Sequence, residues 1–322
     1  VPRPPAVAYA TRLRARFRGL DSREGLLLRG DAGWGEFSPF WDYDAHEAAA
    51  WLAAALEAAT QPWPDPVRPS VPVNVTVPAV PPGRAGELVR AGAGCTTAKV
   101  KVAEPGQGLA HEQARLEAVR DALGPGGRIR IDANGAWDLA EALRRLPLLD
   151  RAAGGLEYAE QPCASVGDLA ALRRRQDVPI AADESVRRAD DPLRVARAEA
   201  ADVVVLKVQP LGGVRACLEL AERLGLPVVV SSALETSVGL AAGVALAAAL
   251  PDLPYACGLA TASLLERDAV DDPILPVDGH VPVRRPEPSP DALARVAADA
   301  ATSRRWSARL AIVDAVLAAP AR

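Results

Sequence analysis

Thr97-Ala98-Lys99-Val100-Lys101-Val102 and, one helix-length further on, Arg128-Ile129-Arg130-Ile131 with Asp132 at its end are the stretches that decide the fold. Each is a short β-branched run that alternates apolar and charged side chains and finishes on a charge, the pattern of a strand with two unlike faces. Outward from this pair the same unit recurs. Val71 to Val77, Leu156 to Glu160, Pro179 to Asp183, Val203 to Val208, Pro227 to Ser231 and Tyr255 to Leu259 complete eight candidate strands. Segments of helical period separate them, clearest in Val214, Cys217, Leu218, Ala221 and Leu224, and Asp138 with Glu141 makes a capping-box pattern. Strand then helix, repeated, predicts an α/β chain built on a parallel (β/α)8-type barrel. A doubly wound sheet alternates in the same way, but eight units of similar length favour closure.

The chain ends read differently. Leu13, Ala15 and Phe17 alternate with Arg12, Arg14, Arg16 and Arg18, a strand with one buried face, and short strands at Gly25 to Arg29 and Gly33 to Phe37 follow turns at Asp21-Ser22 and Asp31. Asp44 and Glu47 form a capping box ahead of a helix to about Ala59, which buries Trp51, Leu52, Ala55 and Leu56. Proline-rich residues 62–72 read as a linker, Asp278-Gly279 as a tight turn, and two last helices are expected near Asp291 to Ala301 and Ser307 to Leu317. The expected organisation is a capping α+β domain from both ends, residues 1–70 with 285–322, on a catalytic barrel of residues 71–284. The small unit cannot bury its apolar face alone, so the final helices should return to it. The loop around Gly19 to Arg23 is expected to act as a lid over the barrel mouth.

With 322 residues, 49% of them hydrophobic, the chain can bury a large core. A net charge of -4 and few aromatics argue against a nucleic-acid partner and for a small molecule. The apolar stretch Val238 to Leu250 falls short of a membrane span, so no membrane partner is expected. Cys95, Cys163, Cys217 and Cys257 show no C-x-x-C spacing, and no leader-like segment precedes the first strand; both point to a reduced, cytoplasmic protein. A monomer is compatible with all of this.

Barrel enzymes place their chemistry at the C-terminal ends of the strands. Lys101 ends the second strand, Asp132 the third, Glu160 the fourth, Asp183 the fifth and Lys207 the sixth, each about one β/α unit from the next. Three carboxylates on adjacent strand ends repel one another unless a cation neutralises them, and hard oxygen ligands suit Mg2+, with Mn2+ as the alternative. Strands two and six are opposite in a ring of eight, so Lys101 and Lys207 should face each other across that metal. A substrate carboxylate bound there would offer its adjacent carbon to a lysine on either side, an arrangement for proton abstraction. Lys99 shares the face of Lys101 and is expected to depress its pKa, while Asn134 is a second-rank ligand or substrate contact.

Lys99-Val100-Lys101, Asp132-Ala133-Asn134, Glu160-Gln161-Pro162, Asp183-Glu184-Ser185 and Lys207 resemble the enolase superfamily, muconate-lactonizing subgroup, along nearly the whole chain. The resemblance implies the modified barrel of that family, its two lysines as acid/base pair and Mg2+ held by the three carboxylates. Arg18-Gly19-Leu20, the following Asp21 to Gly25, and Ser231 to Ser237 are similar to the o-succinylbenzoate synthase branch, actinobacterial type. That branch implies dehydration of a succinyl-hydroxycyclohexadiene carboxylate in menaquinone biosynthesis. It also implies a substrate held by Ser231 and Ser232, with Arg18 beside the lid.

Other readings keep their place. The same site suits an N-acylamino acid racemase or a muconate cycloisomerase, and a non-catalytic barrel scaffold is a third. Arg130 shares the inward face of Asp132 and reads as a structural partner of a carboxylate. His46, His111 and His280 stand in helix or loop contexts with no partner fit for a histidine base, and the cysteines read as small core residues.

Overall fold

The computed structural model describes residues 4–17 and 19–319. The arginine-rich stretch forms β1 (Ala6–Phe17), which pairs antiparallel with β2 (Leu20–Gly30), and β2 in turn with β3 (Gly33–Phe37). Leu13 is buried while Arg12, Arg14 and Arg16 are exposed, as the alternation predicts. The first turn differs from expectation. Asp21 and Ser22 lie inside β2, with Ser22 opposite Arg12, and pairing continues to Phe17 opposite Leu20. Gly19, at φ +74°, lies in the connection, where a residue without a Cβ adopts the left-handed backbone at no steric cost.

The helix Ala45–Thr60 starts at the expected capping box: Asp44 accepts from the His46 and Glu47 N–H groups, and Glu47 accepts from the Asp44 N–H. It buries Trp51, Leu52 and Ala55, leaving Leu56 half-buried. The C-terminal helix Ala300–Leu317 packs on it, and Trp306, Leu310 and Val313 join Phe37, Phe40 and Trp51 in one apolar cluster. This last helix begins earlier than the expected Ser307, because Asp299 caps it by accepting from the Thr302 N–H. At Asp138 only half of the expected box forms; Glu141 turns instead to Arg144 and Arg145.

In the linker, β4 (Ser70–Pro72) pairs with β12 (His280–Pro282) after a turn in which Asp278 and Gly279 both have positive φ. Seven parallel strands follow β4: β5 (Val75–Val77), β6 (Thr97–Lys101), β7 (Arg128–Asp132), β8 (Leu156–Glu160), β9 (Ile180–Ala182), β10 (Val203–Leu206) and β11 (Val228–Val230), in sequence order. The eighth candidate strand is reduced to Cys257-Gly258, which bridges to Val73 on one edge and Ser231 on the other. The Cys257 N–H donates to Pro72 O at 2.7 Å and the Gly258 N–H to Val230 O at 2.9 Å, so the ring closes with parallel-type hydrogen bonds. A Cβ on Gly258 would meet Ser231 Oγ at 2.5 Å, and only a single 3-10 turn, Thr261–Leu264, follows.

Side-chain period sorts the two barrel faces. Val100, Ile129 and Ile131 pack outward with Leu116 and Val119 of the helix Leu109–Leu123 in the main core cluster. Lys99, Arg130 and Asp132 take the other face. The apolar stretch after Thr236 is the helix Ser237–Ala249, buried on nearly every side against barrel and β3. Among the described residues, no helix is long and apolar enough to cross a membrane.

Candidate active site

Register places the charged strand ends side by side: Lys101 is opposite Asp132, and Asp132 opposite Glu160. Asp183 directly follows β9, and Lys207 directly follows β10. All three carboxylates are buried, at 1%, 1% and 0% exposure for Asp132, Glu160 and Asp183. Lys99 Nζ lies between two of them, 3.1 Å from Asp132 and 2.8 Å from Glu160. Lys101 Nζ is 2.5 Å from Asp132 Oδ2 and 2.7 Å from Asn134 Oδ1. Lys207 Nζ donates to Asp183, whose other oxygen accepts from Arg187 Nε at 2.8 Å.

Burial works against every one of these charges, and the neighbours decide the outcome. Glu160 is pushed up to about 7 by burial and by the adjacent Asp132, with Lys99 opposing. Burial would raise Asp132 as well, but Lys101 and Lys99 hold it well below the usual carboxylate range. Asp183 is likewise held down, against burial, by Arg187 and Lys207. Burial lowers Lys207, with Asp183 opposing. Lys99 is ion-paired: burial disfavours its ammonium, and Glu160 and Asp132 outweigh burial.

The donor set fits a hard divalent cation. Three buried carboxylates stand on neighbouring strand ends, and Asp132 helps to push up the Glu160 pKa, a repulsion that a shared cation would relieve. Among the described residues no three His, Cys, Asp or Glu side chains close around one point. The ammonium groups of Lys99, Lys101 and Lys207 take the carboxylate oxygens instead.

Lys99, Lys101, Asp132, Asn134, Lys207, Ser231 and Ser232 line one cavity, with Phe17, Thr76, Ala233, Leu234 and Thr261 completing its wall. The space is narrow, about 30 Å3. Ser232 Oγ is 2.7 Å from Thr261 Oγ1. Arg18, expected beside the lid, lies outside the described residues. Arg130 is fully buried deeper in the barrel, paired with Glu157 and donating to Ala256 O at 2.6 Å, with Tyr158 and Tyr255 beside its guanidinium.

Several participants escaped the sequence reading. Phe17, at the end of β1, places its ring centroid 5.5 Å from Lys101 Nζ, a contact no local pattern encodes. Gln161 accepts from the Asp183 and Ser185 N–H groups at 2.9 and 3.1 Å, bracing the turn after β9. Thr76, opposite Lys99 in register, is a buried hydroxyl without a hydrogen-bond partner among the described residues. Arg187 had a legible signal, one helical turn after Asp183.

The family described as Enolase C-terminal domain-like matches residues 84–288, and Enolase N-terminal domain-like matches residues 8–59. An o-succinylbenzoate synthase of Thermobifida fusca (strain YX) is 67% identical over 308 residues, covering 96% of this chain and 95% of that protein. One from Mycolicibacterium smegmatis is 52% identical over 305 residues, covering 95% and 94%. In three dimensions a muconate lactonizing enzyme from Pseudomonas fluorescens, complexed with muconolactone, superposes with a TM-score of 0.76 at 22% identity. That match covers 91% of this chain and 98% of the other and speaks to the fold alone.

Proposed function

The chain belongs to the o-succinylbenzoate synthase family of the enolase superfamily, and from that premise we propose that it is a lyase dehydrating a succinyl-hydroxycyclohexadiene carboxylate to succinylbenzoate in menaquinone biosynthesis. The observation that carries the reading is that Lys101 and Lys207, four positions apart around the ring, line one cavity beside Asp132. Enzymes of this superfamily use a divalent metal; Asp132, Glu160 and Asp183 would hold it, as Mg2+ or Mn2+, and it would supply Lewis-acid stabilisation of the substrate carboxylate. Lys101 removes the proton from the carbon beside that carboxylate and returns a proton to the departing hydroxyl on the same face. The lost water takes its hydroxyl from the ring carbon and its proton from Lys101, so the lysine ends as it began. Lys207 faces the opposite side and stabilises the anionic intermediate with its charge. Lys99 holds Asp132 and Glu160 in place; Ser231 and Ser232, which line the same cavity as Lys101, contact the substrate.

The cavity must widen to admit this substrate, and we assign the lid to the segment around Gly19 to Arg23. We further read residues 1–70 with 285–322 as the capping domain and 71–284 as the catalytic barrel. A cytoplasmic site of action is supported by four free, buried cysteines.

Formation of the aromatic product, followed by absorbance, tests the activity. Lys101→Ala should lower its rate by about 10²- to 10⁴-fold, the usual worth of a positioned acid/base group. Near wild-type turnover in that variant would refute Lys101 as the base. The paired lysines also suit racemization of an N-acylamino acid, in which each serves one enantiomer. Exchange of the α-proton with solvent deuterium in Lys101→Ala and Lys207→Ala separates the two readings.

A further inference from the structure

Asn134 has an amide with two chemically opposite ends, one accepting and one donating, of nearly the same shape. Its Oδ1 accepts from Lys101 Nζ at 2.7 Å, and its Nδ2 donates to Glu184 Oε1 at 3.1 Å. The same Glu184 oxygen accepts from Arg187 Nη2 at 2.5 Å, so it is held on both sides. A carboxylate only accepts and a guanidinium only donates, so the chain from Arg187 through Glu184 allows the Asn134 amide one orientation. The backbone is fixed too. Asn134 has φ +49°, its N–H donates to Asp132 Oδ1 at 3.1 Å, and the next N–H, of Gly135, donates to Gln161 O at 2.6 Å.

This orientation matters for a lysine that must act as a base. A neutral amine has two N–H bonds and one lone pair in tetrahedral array. Asn134 Oδ1 can only accept, so it takes an N–H of that nitrogen and leaves the lone pair unmasked beside the cavity that Lys101 lines. A flipped amide would present its NH2 to the nitrogen, hydrogen-bond the lone pair and mask the base. We propose that Glu184 is a positioning residue that locks the Asn134 amide with its oxygen toward Lys101 and thereby keeps the lone pair of that lysine free for the substrate. The inference rests on Lys101 being the base, and it adds a role for a side chain that neither binds substrate nor reacts.

The test is a double-mutant cycle on the Mg2+-loaded enzyme. Glu184→Leu should lower kcat by about 10- to 100-fold, the scale of a misaimed reacting group, with little change in KM. Glu184→Gln, whose carbonyl oxygen can still accept from both Arg187 and Asn134, should recover most of that loss. In an Asn134→Leu background, Glu184→Leu should cost less than about twofold more, because the amide it locks is gone. Losses that multiply in the double variant would overturn the proposal. So would loss of Mg2+ binding in Glu184→Leu, measured by calorimetry without substrate, since the damage would then run through Arg187 to Asp183. Failure of the base reading shows separately, as turnover surviving Lys101→Ala.

Discussion

Replacing Glu235 by Gln should stabilise the protein at alkaline pH and do much less in mild acid. Glu235 is only 3% exposed, and burial, followed by the nearby Glu36, pushes its pKa from 4.5 up to about 7. A carboxyl that holds its proton more tightly when folded favours the folded state below the unfolded pKa and weighs against it above the folded one. At pH 8 both states are ionised and the whole gap counts, roughly 3 kcal/mol at 1.36 kcal/mol per pKa unit. At pH 5 the folded state keeps its proton and the unfolded state has lost most of its own, which leaves about 1 kcal/mol. Glutamine carries no charge and can still accept from the Ala233 N–H, which reaches Glu235 Oε2 at 2.7 Å. Urea unfolding of both proteins at pH 5 and pH 8 measures the difference. A stability gain that is the same at both pH values would refute the argument from ionisation, and a loss at pH 8 would mean that the charge itself is structurally required.

Trp306→Ala should cost about 3 to 5 kcal/mol in urea unfolding, because this buried ring stacks edge-on against Phe37 at 6.0 Å and joins the C-terminal helix to the N-terminal sheet. Gly258→Ala should lower kcat/KM by pressing its new Cβ on Ser231, 2.5 Å from Oγ, with a stability loss of about 1 to 3 kcal/mol; unchanged kinetics would show that the Ser231 wall is not shape-critical. Chelation should abolish turnover, and Mg2+ at a hundred times its Kd should stabilise the folded state by about 2.7 kcal/mol. Asp183→Asn should lose that thermal shift in a melting experiment.

The ordering of the site was legible before any coordinates. Side chains on a strand alternate faces, and parallel β/α units follow one another around a barrel, so the repeat that carries Lys101, Asp132, Glu160, Asp183 and Lys207 puts them at one mouth. The capping box at Asp44 and the turn at Asp278-Gly279 were legible for a similar reason, since each is a contact within a few residues. What the folded chain alone decided are contacts between distant segments. Glu36, on β3, accepts from the Thr236 and Gly239 N–H groups at the start of a helix two hundred residues later. Arg23 reaches across to Leu234 O, and Leu234 holds a strained φ of +65° in the cavity wall. The first turn fell at Gly19 rather than Asp21-Ser22 because continued pairing with β1 outweighed local turn preference. The eighth strand shrank to Cys257 and Gly258, where a Cβ on Gly258 would meet Ser231 Oγ at 2.5 Å. Local pattern records what each segment can form by itself; which donor meets which acceptor between distant segments depends on packing, because a buried polar group takes whatever partner the fold brings within reach.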